Sequence, residues 1–373
     1  MSVMTASANP FSYTQTVTGR AFCDRRREQK DLARYLQSSQ NVLLYSHRRH
    51  GKTSLIQRVF ESFATQRPRM STMLVNLYGT LTEKDFIEAV FKGLGQVESR
   101  ADKLIKMAGG FIKSIRYSYD PATQSHTIYP DLGAAGLEPA LDGLMKLLVD
   151  YSVKRRMVVA FDEFQEIAGY AQDSFEKRLR SHIQTHDRIG YIFSGSQTHL
   201  LQRMFNDQGR AFYQQAQSYP LGKIETSEFV DWAAALFAEQ GRQVPASLLR
   251  GIVRRCEHHP MYIQQFLYHL WDARKLDEPT VDKLELQILR RRRLEFINRW
   301  EALTLNQKKT LRLIAVNDGR DLFSAASLQA VGLNRASQAT RAIEALLERE
   351  IIEKNERYHI QDILLKKWIL THL

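Results

Sequence analysis

Two apolar patterns alternate along the first 220 residues. Short apolar runs, Asn41-Val-Leu-Leu-Tyr45, Ser71-Thr-Met-Leu-Val-Asn-Leu77, Met157-Val-Val-Ala-Phe161 and Ile189-Gly-Tyr-Ile-Phe193, read as strands buried on both faces. Between them, 27–36, 55–60, 83–94, 137–153 and 198–205 carry apolar residues every three or four positions, the spacing of an amphipathic helix. Ser218-Tyr-Pro-Leu221 is short enough for a last edge strand. This alternation predicts an α/β fold, a parallel sheet with helices on both faces.

The rhythm breaks in three places. Residues 1–18 are small and polar without periodicity and read as a loose arm. Residues 96–136 contain Gly109-Gly110 and Asp120-Pro121, with alternating Ile115, Tyr117 and Tyr119 opposite Thr127, Ile128 and Tyr129, so a β-hairpin inserted at 110–132 is expected. From Glu225 the strands stop. Helical stretches at 228–239, 245–256, 261–274 and 281–300 predict a helical lid domain, 224–300, after a core spanning 19–223. Helices at 306–316, 324–331 and 335–349, then a β-like stretch at 351–360, predict a winged helix-turn-helix over 301–373.

With 373 residues and 43% apolar content, the chain has material for two or three folded cores. Cys23 and Cys256 lack metal-ligand neighbours, which argues against a disulfide framework or a zinc site. No run of 18 apolar residues and no signal-peptide pattern occurs, so no membrane span is read and a cytoplasmic protein is expected. The net charge of +12 is uneven: residues 1–60 carry ten Lys or Arg against three acids, residues 301–373 eleven against nine. Positive charge thus gathers around Arg25, Arg26, Arg27, Arg48, Arg49 and Arg58, where it suits phosphates or a polyanionic partner such as nucleic acid.

That basic region contains S-H-R-R-H-G-K-T-S, residues 46–54, between a strand and a helix. In this context the turn is a phosphate-binding loop. Backbone N–H groups converge at a helix N-terminus, whose dipole favours an anion. Ser46, Arg48, Arg49, His50, Gly51, Lys52, Thr53 and Ser54 are its candidate nucleotide contacts. Lys52 reaches the β- and γ-phosphates, the Thr53 hydroxyl ligates Mg²⁺, and Gly51 lets the backbone approach. Ser46 stands where the motif has its first glycine; the position tolerates serine at negative φ.

Asp162-Glu163 follows the apolar run 157–161. Asp162 would serve the Mg²⁺ shell and Glu163 would orient or deprotonate the attacking water, making Lys52, Asp162 and Glu163 the catalytic candidates. Ser194-Gly-Ser-Gln197 ends the next strand and so faces the same crevice, with Ser196 a candidate γ-phosphate contact. His182 and His186 lie four apart on a helix but lack a third ligand, so surface or packing roles are expected. The tetrad Arg290 to Arg293 is either a solvated helix face or a site for nucleic acid or an acidic partner.

Together these pieces resemble the archaeal-type ATPase family, a branch of the STAND group of P-loop ATPases related to AAA+ proteins. The resemblance rests on F-C-D-R-R-R-E-Q-K-D-L (22–32), the 46–54 loop, V-V-A-F-D-E-F (158–164), F-S-G-S-Q-T-H-L-L (193–201), His258-His-Pro-Met-Tyr-Ile-Gln264 and Ile360-Gln-Asp-Ile-Leu-Leu-Lys-Lys-Trp368. It implies ATP rather than GTP, Pro260 near the adenine and Arg25 at the mouth of the site. His258 replaces a usual glycine. Between 212 and 221, where such proteins often carry a basic residue, stands Tyr213-Gln-Gln-Ala-Gln217, with Arg203 or Arg210 as substitutes. Hydrolysis is therefore expected to be slow or to need a partner's arginine.

The expectation is an Mg-ATP-dependent switch controlling a nucleic-acid or protein partner. The alternatives are a DNA-binding regulator with a structural nucleotide site, and an ATP-driven homo-oligomeric signalling or defence scaffold. On the winged helix, Arg335, Ser337, Gln338, Thr340 and Arg341 would face a DNA groove, while Glu344, Glu348 and Glu350 oppose that reading.

Overall fold

A computed structural model describes residues 9–23, 25–97, 114–120, 125–131, 137–171, 174–354 and 356–372; the segments 114–120 and 125–131 are described by backbone alone. The chain divides into two compact units, Thr14–Ile224 and Glu225–Leu373, the latter including the N-terminal residues up to Tyr13.

In the first unit the described elements run α1 (Arg26–Gln37), β1 (Val42–Tyr45), α2 (Lys52–Thr65), β2 (Ser71–Asn76), α3 (Glu83–Val97), β3 (Ser114–Asp120), β4 (Ser125–Asp131), α4 (Leu137–Lys154), β5 (Met157–Asp162), α5 (Ser174–Gln184), β6 (Ile189–Gly195), α6 (Thr198–Asn206) and β7 (Gln217–Pro220). Strands β2, β5, β6, β1 and β7 pair in that order, all parallel. Because side chains alternate faces along a strand, Val158, Ala160 and Ile192 pack with α1 and α2, while Val159, Phe161, Tyr191 and Phe193 pack with α3 to α6. Two cores on opposite sheet faces explain why the central strands are continuously apolar. β3 and β4 form a separate antiparallel pair, with Tyr117 opposite Ile128.

Register sets the site. Tyr45 aligns with Gly195, Phe193 with Phe161, and Asn76 with Asp162. The C-terminal tips of β1, β5 and β6 therefore end side by side, and the residues that follow them share one edge.

The second unit contains α7 (Thr226–Ala238), α8 (Ala246–Arg255), α9 (Pro260–Trp271), α10 (Glu278–Arg291), α11 (Arg293–Glu301), α12 (Leu305–Asn317), α13 (Ala325–Ala330), α14 (Ala336–Glu348), β8 (Ile352–Lys354), β9 (Tyr358–Ile360) and α15 (Ile363–His372). It departs from the sequence expectations in two ways. Part of the arm expected to be loose is packed: Phe11 is 1% exposed, its ring 5.4 Å from Trp232, 5.5 Å from Phe237 and 5.6 Å from Trp271. Asn9 donates to the Tyr268 carbonyl at 2.9 Å, and Gln264 accepts from the Ser12 N–H at 3.3 Å.

Next, the stretch expected as one helix over 281–300 breaks at Arg292, where φ is −93° and ψ is 3°. The Arg292 guanidinium turns to Asp362 at 2.8 Å and Glu295 at 2.7 Å and stacks over Phe296. One member of the arginine tetrad is thus structural, while Arg290, Arg291 and Arg293 are exposed.

The segments expected as helical lid and winged helix lie in one compact unit, and the joint between them is polar. Asp362, 8% exposed, accepts from the Tyr262 hydroxyl (2.6 Å), from Arg292 and Arg299 (2.8 Å each) and from the N–H groups of Leu364 and Leu365. Lys366 pairs with Glu257 and Lys367 with Glu285. Trp368 lies beside Phe296 and Trp300.

Candidate nucleotide site

The loop from Ser46 to Gly51 joins β1 to α2. Gly51 caps the helix at φ 88°, a left-handed conformation that glycine adopts without cost, and no atom lies within 4 Å of where a Cβ would sit. Lys52 begins α2 with its ammonium folded inward, 6% exposed, donating to the Ser46 carbonyl at 2.8 Å and the His47 carbonyl at 3.2 Å. Arg48 and Arg49 are exposed, Arg49 at φ 63°. Ser46 is buried, with its hydroxyl 3.3 Å from the His47 carbonyl.

Thr53, one residue further, meets the tip of β5: its hydroxyl donates to Asp162 Oδ2 at 2.6 Å. The other carboxylate oxygen of Asp162 accepts from Ser194 Oγ of β6 at 2.6 Å. Two motifs 109 residues apart are thus joined through a single carboxylate. Glu163 follows in a left-handed conformation, φ 56°, which swings its side chain out of the strand register. Its Oε2 accepts from Gln165 Nε2 at 2.5 Å, from the Ser196 N–H at 3.2 Å and from Ser196 Oγ at 3.0 Å; Oε1 lies 3.2 Å from the same hydroxyl. Nearby Glu166 is held above the ordinary carboxyl range, first by burial and then by the charge of Glu163, with Arg48 opposing.

Arg25 stands beside the loop. Its guanidinium, 5% exposed, donates to the His50 carbonyl at 3.3 Å and the Gly222 carbonyl at 2.9 Å, and pairs with Glu28 at 2.9 Å. Burial lowers its pKa from the usual guanidinium value, and Glu28 partly offsets this. Arg25 thereby ties the phosphate loop to the residues after β7.

The structure brings together Lys52, Thr53, Asp162, Glu163 and Ser196. It does not bring the Ser54 hydroxyl to this group: that oxygen accepts the Val17 N–H at 3.0 Å. Pro260 opens α9 in the other unit. Gln338 does not face outward with Arg335, Ser337, Thr340 and Arg341; its Oε1 accepts the N–H groups of Asn334 and Arg335 and caps α14. Arg203 is exposed on α6, and Arg210 pairs with Glu176. His182 bonds Asp142, and buried His186 bonds the Tyr191 hydroxyl, with its pKa pulled down to about 4 by burial. The residue that sequence reasoning missed is Gln165, 3% exposed; the available signal was an amide two positions after Glu163, between Phe164 and Glu166.

Among the described residues no group of three or more His, Cys, Asp and Glu is arranged to hold a metal, and no helix is long and apolar enough to cross a membrane.

The architecture is a P-loop fold: a parallel sheet with the loop and acidic tip on one edge, followed along the chain by helices and a winged helix. The family described as probable winged helix domain matches residues 294–371, beginning within α11. No curated protein matches the chain. Among solved structures, the chain is similar to a Walker-type ATPase of Pyrococcus abyssi, with TM-score 0.69 and 19% identity over 97% of this chain and 99% of that one. It is also similar to the ORC2 protein of Aeropyrum pernix in its ADPNP-ADP complexes, with TM-score 0.57 and 16% identity over 98% of both chains. The ADP form of that protein gives TM-score 0.51 over 96% of this chain and 95% of that one, at 16% identity. At these identities the shared property is the fold.

Proposed function

We propose that the protein binds Mg-ATP at the 46–54 loop and hydrolyses it as a nucleotide-dependent switch acting on a nucleic-acid or protein partner. The observation that carries this reading is the 2.6 Å bond between Thr53 and Asp162, which joins the phosphate loop to the acidic strand tip with Glu163 beside it.

The residues present fit the group. Gly51 leaves open space on the loop, and Lys52 supplies a cation at the start of a helix whose dipole favours an anion. Thr53 and Asp162 are hard oxygen donors, which suits an ion that takes one or two carboxylates and completes its shell with phosphate oxygens and water. Bound Mg-ATP supplies a γ-phosphoryl group open to attack by water. The chain's own work is positional. Lys52 balances phosphate charge, Asp162 holds Thr53 and Ser194 in one frame, and Glu163 accepts a proton from water. Arg25 holds the loop carbonyl at His50 in place. The relatives' printed names, a Walker-type ATPase and an ORC2 protein in complexes with ADPNP and ADP, support a nucleotide as ligand.

A winged helix with Arg335, Ser337, Thr340 and Arg341 exposed on α14 supports nucleic acid as one class of partner. The test is ATP affinity and turnover on wild type, Lys52→Ala and Glu163→Gln. Lys52→Ala is expected to lose both. Glu163→Gln is expected to keep affinity and lose turnover roughly 10²-fold or more. Unchanged turnover in both variants refutes the assignment.

A further inference from the structure

We infer that Gln165 and Gly195 are positioning residues that aim the carboxylate of Glu163; this deepens the proposed ATPase reading and rests on it. Glu163 stands on a single left-handed residue, and a side chain with three rotatable bonds there has no intrinsic reason to hold one direction. Its Oε2 is occupied by the Gln165 amide at 2.5 Å and the Ser196 N–H at 3.2 Å. The Ser196 hydroxyl lies 3.0 Å from Oε2 and 3.2 Å from Oε1, and with one proton it donates to one oxygen at a time. Oε2 is therefore the anchored oxygen. Oε1 keeps lone pairs for the proton of a water molecule.

Gln165 can do this because of Gly195. A Cβ at 195 would overlap the Gln165 amide oxygen and crowd Leu201 Cδ1, so the absence of a side chain at the last position of β6 makes the room. The Gln165 Oε1 atom is itself buried with no hydrogen-bond partner. Such an orphan acceptor destabilises a fold, and replacing the amide by an apolar group would remove that penalty. A glutamine used for stability alone would not be placed so. Its Nε2, which meets Glu163, is the half that is used. The resulting unit has one donor from the turn after β5 and two from the end of β6, a second layer that fixes a reacting group within a fraction of an ångström.

The test has two arms. In the loaded enzyme, Gln165→Leu is expected to keep the ATP Kd within about twofold and to lower kcat roughly 10- to 100-fold, the effect of a misplacement near 1 Å. Gly195→Ala is expected to do the same without altering either partner of the 2.5 Å bond. In the nucleotide-free protein, exchange of the Ser196 amide hydrogen is expected to quicken about tenfold in Gln165→Leu and in Glu163→Ala, which removes the acceptor, with no further change in the double variant. Wild-type kcat in Gln165→Leu, or unchanged Ser196 exchange, overturns the inference. If wild type and Lys52→Ala turn over ATP alike, the ATPase reading fails instead, and the exchange arm still decides whether Gln165 aims Glu163.

Discussion

Replacing Phe11 by alanine tests whether the N-terminal segment is a built part of the helical unit. The ring is 1% exposed between Trp232, Phe237 and Trp271. A buried phenylalanine removes roughly 150–200 Å² from water, about 4 kcal/mol at ~25 cal/mol per Å². Each edge or tilted aromatic pair adds about 0.5–1.5 kcal/mol. Against this stands the ordering of the chain from Asn9 to Tyr13, at about 1–2 kcal/mol per residue. The bonds from Asn9 to Tyr268 and from Ser12 to Gln264, and the Tyr13 ring against Tyr268, offset part of that cost. Without the ring the balance reverses, and the segment is expected to detach.

Detachment limits the loss. Once the segment is released its entropy returns, so Phe11→Ala should cost about 2–4 kcal/mol, below the full cavity penalty of an internal phenylalanine, and should match deletion of residues 1–13. The assay is urea unfolding followed by tryptophan emission, because the chain's four tryptophans, Trp232, Trp271, Trp300 and Trp368, all lie beyond Glu225. Emission of the native variant should also shift to longer wavelength as Trp232 and Trp271 gain water. A midpoint and a native spectrum equal to wild type would refute the packing argument, as would a loss in Phe11→Ala far exceeding that of the deletion.

Three further outcomes follow from single contacts. Asp362→Ala should destabilise the helical unit by about 3–5 kcal/mol, since it leaves Arg292 and Arg299 partly buried without their carboxylate. Burial works to raise the Asp362 pKa, but Arg292, Tyr262 and Arg299 outweigh it and hold the carboxyl below its usual value. The stabilisation is therefore complete above the unfolded value of about 3.9 and is lost as pH falls through the lower folded value. Tryptophan-monitored stability between pH 7 and 3 should show this loss in wild type and a weaker one in Asp362→Ala. Thr53→Ala should lower the Mg²⁺ dependence of ATP affinity, whereas Ser54→Ala, whose hydroxyl holds Val17, should leave affinity within about twofold by titration. If α14 docks on DNA, Arg335→Ala with Arg341→Ala should reduce the slope of log affinity against log salt by about 2, and an unchanged slope excludes that surface.

What the sequence made legible were local patterns. Apolar runs at 41–45, 157–161 and 189–193 are long enough to mark strands covered on both faces, and the register of a parallel sheet then brings their ends together. The pairing of Thr53 with Asp162 could be anticipated because each ends or follows a strand in a recognisable motif. The Ser54 hydroxyl was illegible because its partner, Val17, lies in a stretch with no periodicity. Phe11 was illegible for a related reason: one aromatic among small polar residues gives no period, and its cage comes from three residues more than 220 positions away. Gln338 was misread as a surface contact, although a Gln three residues into a helix is a recognised cap.

The joint between the helical segment and the winged helix is built from contacts that no local sequence pattern carries. Arg292 belongs to the tetrad 290–293, and its sequence neighbours Glu295 and Phe296 account for only part of its contacts. Its partner, Asp362, is seventy positions away, at the start of the final helix, whose apolar pattern alone assigned it no role. Yet that carboxylate gathers Tyr262 from α9, Arg292 from the break after α10, Arg299 from α11 and two backbone N–H groups of α15. Lys366 and Lys367 extend the contact to Glu257 and Glu285. Three of these attachments, from Tyr262, Arg292 and Arg299, reach Asp362 from the helices that precede the winged helix's strands. The winged helix is accordingly carried by the helices that precede it. Substitutions at Asp362 should therefore uncouple the winged helix from α9 to α11 while leaving the Thr53–Asp162 frame of the other unit intact.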